Sequence, residues 1–162
     1  MGQTIIEKIF STHNNNDSIA PGEIIWLSLD VRTARDFGGP NVVKNLLENF
    51  FENPIADTEK TAFTFDTVAP ANTIPYAENQ QRCRKFAREF GIPLFDVNRG
   101  IGTHTLIEEG WVRPGFTAVG TDSHFNIMGA IGAFGQGMGD RDIAFAFATG
   151  KAWFQMPPTV RI

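Results

Sequence analysis

The sequence predicts a single α/β domain, a three-layer α/β/α arrangement with helices on both sides of a mainly parallel sheet. Helical and strand-like patterns alternate along all 162 residues, and no linker, repeat or low-complexity stretch exceeds the polar cluster 13–18. Alternating strands and helices are typical of βαβ units, whose strands run parallel. With 42% hydrophobic and 20% charged side chains, residues 1–162 can bury the core of one domain.

The first half of the chain carries two helical and two strand-like patterns. Residues 4–10 place three isoleucines on one helical face, and residues 23–31 read as a strand because every second side chain is aliphatic. A proline opens a second helix over 40–50, where apolar side chains recur at helical spacing. Residues 62–65 form a short apolar strand that ends at Asp66.

The second half is rich in glycine as well as in regular elements. The predicted elements are a helix over 73–90 that Thr73 begins and Gly91 ends, strands over 94–97 and 116–120, a helix over 143–149 that Asp140 or Asp142 opens, and a strand over 159–162. Eleven of the sixteen glycines lie between Gly100 and Gly150. This half must therefore make sharp turns or let its backbone approach other groups closely.

Polar side chains follow three of the predicted strands. Asp66 comes directly after one strand, His104 lies in the turn after the next, and Asp122, Ser123 and His124 follow a third. Because the carboxyl ends of parallel strands meet at one edge, these residues form a candidate active site. An Asp beside a His can fix the imidazole tautomer, and a Ser can hold a substrate carboxylate. The other interpretation is structural, with the Asp capping the next helix and the His side chains serving the surface or core.

Charge and composition exclude several classes of function. A formal net charge of -4 and a pI near 5.3, without a dense Lys/Arg run, argue against binding to nucleic acid or an anionic membrane. No apolar run approaches the roughly 18 residues that span a bilayer, and residues 1–10 do not resemble a signal peptide. We therefore expect a cytoplasmic protein with neither of these partners.

The single cysteine, Cys83, excludes an internal disulfide and any metal site that needs several thiolates from this chain. It lies on the apolar face of the helix 73–90 and is assigned to packing. We predict no metal site within the chain. His13, in an Asn-rich loop, is not a candidate site residue.

Short motifs with a fixed order and spacing surround the Asp-Ser-His triplet. Val-Gly-Thr-Asp-Ser-His at 119–124 precedes Gly-Ala-Ile-Gly-Ala-Phe at 129–134. The other motifs are Phe65–Asp66 with Pro70–Ala71–Asn72, Trp111 with Pro114–Gly115, Ala148–Thr149–Gly150 with Trp153, and residues 158–162. Together they resemble the large subunit of the aconitase superfamily, in particular its 3-isopropylmalate dehydratase and homoaconitase branch.

The resemblance implies the fold of the aconitase N-terminal domain and a hydro-lyase, which removes and re-adds water on a hydroxylated di- or tricarboxylic acid. It implies a [4Fe–4S] cluster in the complete enzyme, whose open iron acts as a Lewis acid on the leaving hydroxyl. The expected partners are the remaining, cluster-binding part of the large subunit, a small subunit or C-terminal swivelling domain, and a small carboxylic-acid substrate. This chain alone is expected to bind no iron and to be inactive.

The resemblance also implies roles for individual residues. Asp122 and His104 are similar to a carboxylate–imidazole pair near the substrate hydroxyl, and His124 to a second imidazole that contacts substrate or iron-bound water. Ser123 is implied to hold a substrate carboxylate. Asp66 is similar to the Asp of an Asp–His pair that stabilises the leaving hydroxide.

Asn41 matches a family position that is often Gln and is implied to contact substrate. Three features of this chain depart from the family pattern. Thr67 stands where a His should follow Asp66, Phe125 stands where a Thr usually follows the Asp-Ser-His motif, and the turn 100–103 is about one residue longer. These departures predict an altered site, with a different substrate or a lost activity.

Two alternatives to the enzyme remain open. The first is a non-catalytic binding or assembly module that retains the fold, which Thr67 and Phe125 motivate. The second is a nucleotide site in the glycine-rich run 132–139. The run lacks G-x-G-x-x-G spacing directly after a strand, and the chain has no Gly-Lys-Ser/Thr, so this alternative is disfavoured.

Overall fold

The structure, a computed structural model that describes residues 2–16 and 18–160, contains seven strands in its described part. They are β1 (Ile24–Ser28), β2 (Val31–Arg35), β3 (Thr61–Thr64), β4 (Leu94–Phe95), β5 (Thr117–Gly120), β6 (Phe134–Gly137) and β7 (Lys151–Gln155). Five of them form a parallel sheet in the order β4–β3–β2–β5–β6. The other two, β1 and β7, pair antiparallel in a separate sheet.

Helices cover both faces of the parallel sheet. The α-helices of the described part are α1 (Ile5–Asn14), α2 (Gly39–Asn49), α3 (Ile74–Phe90), α4 (Gly102–Glu108) and α5 (Asp140–Thr149), of which α1 packs mainly against β1. Helices α2, α3 and α5 pack on one face, around a buried cluster that includes Ala34, Phe63 and Val119 of the sheet. Helix α4 and a 3-10 helix, Phe125–Ile131, pack on the other face, where Val31 is buried. The predicted three-layer α/β/α fold is confirmed.

The capping residues fix helix ends where the sequence places them. The side chain of Thr4 accepts the N–H of Glu7, and the carboxylate of Glu7 accepts the N–H of Thr4 at 2.6 Å, which completes a capping box at the start of α1. Thr73 caps α3, with Pro75 in the first turn. Gly91 ends α3 in the left-handed region, with φ 67°.

The predicted strand 23–31 is confirmed only over β1 and is too long, because the chain changes sheets within it. β1 pairs with β7, and β2 begins three residues after β1 ends and pairs with β5. At the turn, the N–H of Asp30 donates to the carbonyl of Thr117 at 3.0 Å, and the Asp30 carboxylate accepts the N–H of Thr117 at 2.9 Å. Aliphatic alternation continues through this turn because Leu27 and Val31 are both buried, although in different clusters.

His13 ties α1 to the same turn. Its Nε2 lies 2.7 Å from Oδ2 of Asp30, and its Nδ1 lies 2.7 Å from the carbonyl of Ile9. The hydrogen bond to Asp30 raises the pKa of His13, against the opposing effect of burial. Burial raises the pKa of Asp30, but hydrogen bonds from His13 and the N–H of Thr117 hold it below its ordinary value. His13 therefore has a structural partner at the opposite end of the sheet from the candidate site.

Several further elements differ from the sequence expectations. β6 lies in the glycine-rich run, which was not predicted to be a strand, and His104 lies on helix α4 rather than in a turn. The predicted strand 159–162 is wrong at 159–160, which lie outside regular structure, and residues 161–162 fall outside the described part. The last strand among residues 18–160 is β7, and β1 and β7 expose Trp26 and Trp153 side by side. None of the described helices is long and apolar enough to cross a membrane.

Candidate active site

The parallel sheet forms a crevice at its carboxyl edge. From β2 the chain proceeds outward through β3 to β4, and then returns to the other side of β2 with β5 and β6. The direction of strand addition therefore reverses between β2 and β5, and α/β proteins bind ligands beyond the strand ends at such a reversal. The polar residues that follow β2, β3 and β5 meet at this point.

Arg35, the last residue of β2, joins the segments that follow β3 and β5. Its Nε lies 2.6 Å from Oδ1 of Asp66, and its Nη1 lies 2.9 Å from Oδ1 of Asp122. The Asp66 and Asp122 side chains are 3% and 6% exposed, and that of Arg35 is 23% exposed. Burial lowers the pKa of the guanidinium, but the hydrogen bond to Asp66 and the charges of both aspartates raise it above its ordinary value. Arg35 is therefore a fixed cation between two nearly buried carboxylates.

The turn after β5 presents Ser123 and His124 to solvent. Oδ1 of Asp122 accepts the backbone N–H of His124 at 2.9 Å and lies 3.2 Å from its Nδ1. Because a carboxylate only accepts hydrogen bonds, this contact favours a proton on Nδ1 and leaves Nε2 of the neutral ring as an acceptor. The His124 side chain is 86% exposed, and Oγ of Ser123 lies 3.4 Å from Nδ1. Asp122 thus caps the turn and also orients an exposed imidazole.

Asp66 holds the start of the helix that carries His104. Its Oδ2 accepts the N–H of Gly102, the first residue of α4, at 2.6 Å. His104 lies two residues further along and is exposed, with Nδ1 3.5 Å from Oγ1 of Thr103. A Cβ on Gly102 would lie 2.5 Å from Oγ1 of Thr64, so glycine lets α4 begin this close to β3.

Asp36, directly after Arg35, shapes the loop that follows β3. The fully buried carboxylate accepts the N–H groups of Thr67 at 3.0 Å and Val68 at 3.2 Å, and the side-chain amide of Gln80 at 3.1 Å. Burial raises the pKa of Asp36, but these donors hold it below its ordinary value. Asp36 therefore fixes the backbone immediately after Asp66.

The six predicted site residues all lie on segments at the carboxyl edge: Asn41, Asp66, His104, Asp122, Ser123 and His124. Asn41, in the first turn of α2, is exposed and donates from Nδ2 to Oδ2 of Asp140 at 2.9 Å. The Asp122 side chain contacts Arg35 and His124, so its pairing with His104 stays a prediction. The chemical roles of all six residues also stay predictions.

The two substituted positions of the motifs differ in their surroundings. Phe125 is 1% exposed and packs into the cluster beneath α4, where Gly120 leaves room for its ring. It therefore serves packing and does not line the crevice. Thr67 is exposed beside Asp66. Its hydroxyl cannot act as the imidazole of a charge-supported pair with Asp66.

The one cysteine of the sequence, Cys83, lies in the core and not at the crevice. Cys83 is fully buried between α3 and the sheet, and burial raises the pKa of its thiol to about 12. A thiolate ligand is strongly disfavoured there. In the described ranges, no group of three or more His, Cys, Asp and Glu side chains is arranged to hold a metal ion.

Sequence reasoning missed Arg35 and Asp36. A prediction of β2 as a separate strand would have placed both at its carboxyl end, which is the criterion that identifies Asp66 and Asp122. The predicted strand 23–31 stopped short of them. Arg35 and Asp36 can therefore be predicted as site residues only if the turn at Asp30 is recognised.

Comparison with known proteins identifies the family of this chain. The model of the aconitase family (aconitate hydratase) matches residues 7–162. The chain is 42% identical, over its whole length, to the 3-isopropylmalate dehydratase large subunit of Herpetosiphon aurantiacus, of which it covers 39%. It is 42% identical to 3-isopropylmalate dehydratase large subunit 1 of Methanopyrus kandleri and 38% identical to the homoaconitase large subunit of Thermus thermophilus, matching each over the whole chain and covering 38% of each. The chain thus spans about two fifths of the length of these relatives. It belongs to the aconitase family.

Proposed function

We propose that this chain supplies one wall of the active site of a hydro-lyase, which removes and re-adds water on a hydroxylated di- or tricarboxylic acid. Membership of the aconitase family supports this reaction class, and the relatives' names favour a 3-isopropylmalate dehydratase. The observation that carries the proposal is the exposed imidazole of His124, oriented by the nearly buried Asp122 beside Ser123 at the β2–β5 crevice.

The side chains of the turn can divide the work of binding and proton transfer. Nε2 of His124 can exchange a proton with the substrate hydroxyl, while Asp122 stabilises the charged ring through Nδ1. The Ser123 hydroxyl can donate a hydrogen bond to a substrate carboxylate. Asn41 and His104 are assigned to substrate contact at the rim, and Asp66 to the side of the leaving hydroxide.

The wall itself carries an excess of negative charge. Four carboxylates, those of Asp36, Asp66, Asp122 and Asp140, lie at this edge with Arg35 bonded to two of them. Such a surface disfavours a polyanionic substrate unless cations come from elsewhere. We therefore propose that the substrate carboxylates are bound mainly by groups outside this chain.

Those groups belong to the proposed partners. We propose that the complete enzyme holds a [4Fe–4S] cluster through cysteines in the rest of the large subunit, and that a small subunit or C-terminal swivelling domain closes the site. The chain's coverage of only 38–39% of its relatives leaves room for such parts, and the burial of Cys83 is consistent with external ligands.

Turnover by the complete large subunit with its partner, reconstituted anaerobically, tests the proposal. We expect dehydration of 3-isopropylmalate and rehydration of the unsaturated acid that it forms, followed by the absorbance of that acid, with homoaconitate and citrate as competing substrates. Activity should fall about 10²–10⁴-fold in His124→Ala. Asn126→Ala, an exposed substitution two residues along, is the matched control. Absence of turnover on all three acids would contradict the proposal.

A non-catalytic module is the second candidate, and exposed Thr67 favours it because the implied imidazole is missing there. A complete subunit that lacks a C-x-x-C motif and binds no iron would support the module. An iron-loaded subunit that turns over a hydroxy acid would exclude it.

A further inference from the structure

Arg35 differs from the other arginine of its strand in what it binds. Arg32 is 1% exposed, and its donors reach neutral oxygens, namely the carbonyls of Leu29 and Asp57 and the hydroxyl of Thr61. It therefore stabilises the strand and its neighbours. Arg35 instead binds two carboxylates on two different segments at the candidate active site, and it keeps part of its surface exposed to the crevice edge.

The two carboxylates each hold one imidazole-bearing segment. Asp66 binds the first N–H of α4, two residues before His104. Asp122 binds the N–H and the ring of His124. The contacts thus form one continuous path from the start of α4, through Asp66, Arg35 and Asp122, to the turn after β5.

We propose that Arg35 is a positioning residue that sets the separation of the two imidazole-bearing segments by binding Asp66 and Asp122 at once. The planar guanidinium suits this role, because Nε and Nη1 are held rigidly and reach different carboxylates. Without it, two nearly buried anions would face each other and repel, and the segments would move apart. The catalytic part of this inference rests on the proposed hydro-lyase, whereas the coupling of the segments does not.

Amide hydrogen exchange on the 162-residue chain tests the coupling directly. The reporters are the N–H groups of Gly102 and His124, which Asp66 and Asp122 accept. In Arg35→Gln, we expect both to exchange on the order of tenfold faster or more, while strand amides such as that of Val119 keep their wild-type rates. Arg88→Gln, which removes an exposed guanidinium from the far end of α3, should change neither reporter.

The conservative variant keeps the test decisive if Arg35→Gln does not fold. Arg35→Lys retains the charge but offers a single ammonium in place of the fork. We expect it to keep one reporter protected and to release the other. Wild-type protection of both reporters in Arg35→Lys or Arg35→Gln would overturn the proposal. An equal increase in exchange at all strand amides would also overturn it, because it marks global destabilisation.

Kinetics of the complete enzyme separate positioning from substrate binding. Arg35→Gln should lower kcat about 10–100-fold with KM changed less than about threefold, because misplacement of catalytic groups acts on the reaction step. Arg35→Lys should fall between Arg35→Gln and wild type. A raised KM with unchanged kcat would make Arg35 a substrate-binding residue and overturn the proposal. If the wild type shows no hydro-lyase turnover, the proposed function fails while the exchange experiment still decides the coupling.

Discussion

Gly137, the last residue of β6, lets this strand run against the backbone of the turn that carries Asp122 and Ser123. A Cβ added there would lie well inside van der Waals contact of the carbonyl oxygen of Asp122, and 3.1 Å from the Cα of Ser123. Both neighbours are backbone atoms, so no side chain can rotate away to make room. An alanine at this position therefore fits only if β6 or the turn moves.

We predict that Gly137→Ala lowers the free energy of unfolding by about 2–3 kcal/mol, within the range for overpacking of a close contact. For a chain of this size, 1 kcal/mol shifts Tm by roughly 2–4 °C, so Tm should fall by roughly 4–12 °C. The N–H of Met138 also donates to the carbonyl of Gly120 at 2.9 Å, and movement of β6 would strain that bond. The same movement should displace His124 and reduce turnover.

Urea unfolding followed by circular dichroism measures this change, and Gly129→Ala is its matched control. Gly129 lies on the neighbouring 3-10 helix, and a Cβ there would meet nothing within 4 Å. Its substitution should change the free energy of unfolding by about 0.5 kcal/mol or less. Equal stability of Gly137→Ala and Gly129→Ala would refute the reasoning, because it would show that the turn is not held against β6.

Three further outcomes are expected. His13→Gln should lower the free energy of unfolding most between about pH 4 and pH 6.5. The pKa of His13 is raised from 6.5, so its contribution is lost as pH rises through the folded value; the pKa of Asp30 is lowered from 3.8, so its contribution is lost as pH falls through the folded value. A difference in urea midpoints that does not depend on pH would contradict this. Asp36→Asn should lower the free energy of unfolding by about 1–3 kcal/mol, because an NH₂ group replaces one of the two buried carboxylate oxygens that accept the N–H groups of Thr67 and Val68. Unchanged urea midpoints would argue against it. After anaerobic reconstitution, metal analysis should find far less than one iron per isolated chain, and about four would show a cluster within it.

The sequence predicted elements whose ends depend on local chemistry. Thr4, Thr73 and Gly91 fix helix ends through contacts within one turn, so residue type and spacing were sufficient. The strand 23–31 was predicted too long, because alternation reports burial and not the identity of the sheet. The turn at Asp30 depends on a partner 87 residues away, Thr117, which no local pattern reveals.

The same distinction between local patterns and long-range contacts applies to the candidate site. The Asp-Ser-His motif and Asp66 could be found because each begins two residues after the end of a strand with a clear apolar pattern. Arg35 could not, because its importance comes from two carboxylates, 31 and 87 positions further along the chain, that the sheet order brings to it. Phe125 looked like a loss at the active site, whereas the structure gives it a packing role next to Gly120.

The most direct test of the central claim is the kcat of the complete, iron-loaded enzyme on 3-isopropylmalate with His124 intact or replaced by alanine. The account predicts measurable turnover by the wild type, a fall of about 10²–10⁴-fold in His124→Ala, and wild-type kcat in Asn126→Ala. An equal kcat for the wild type and His124→Ala would show that the turn after β5 does not carry the chemistry.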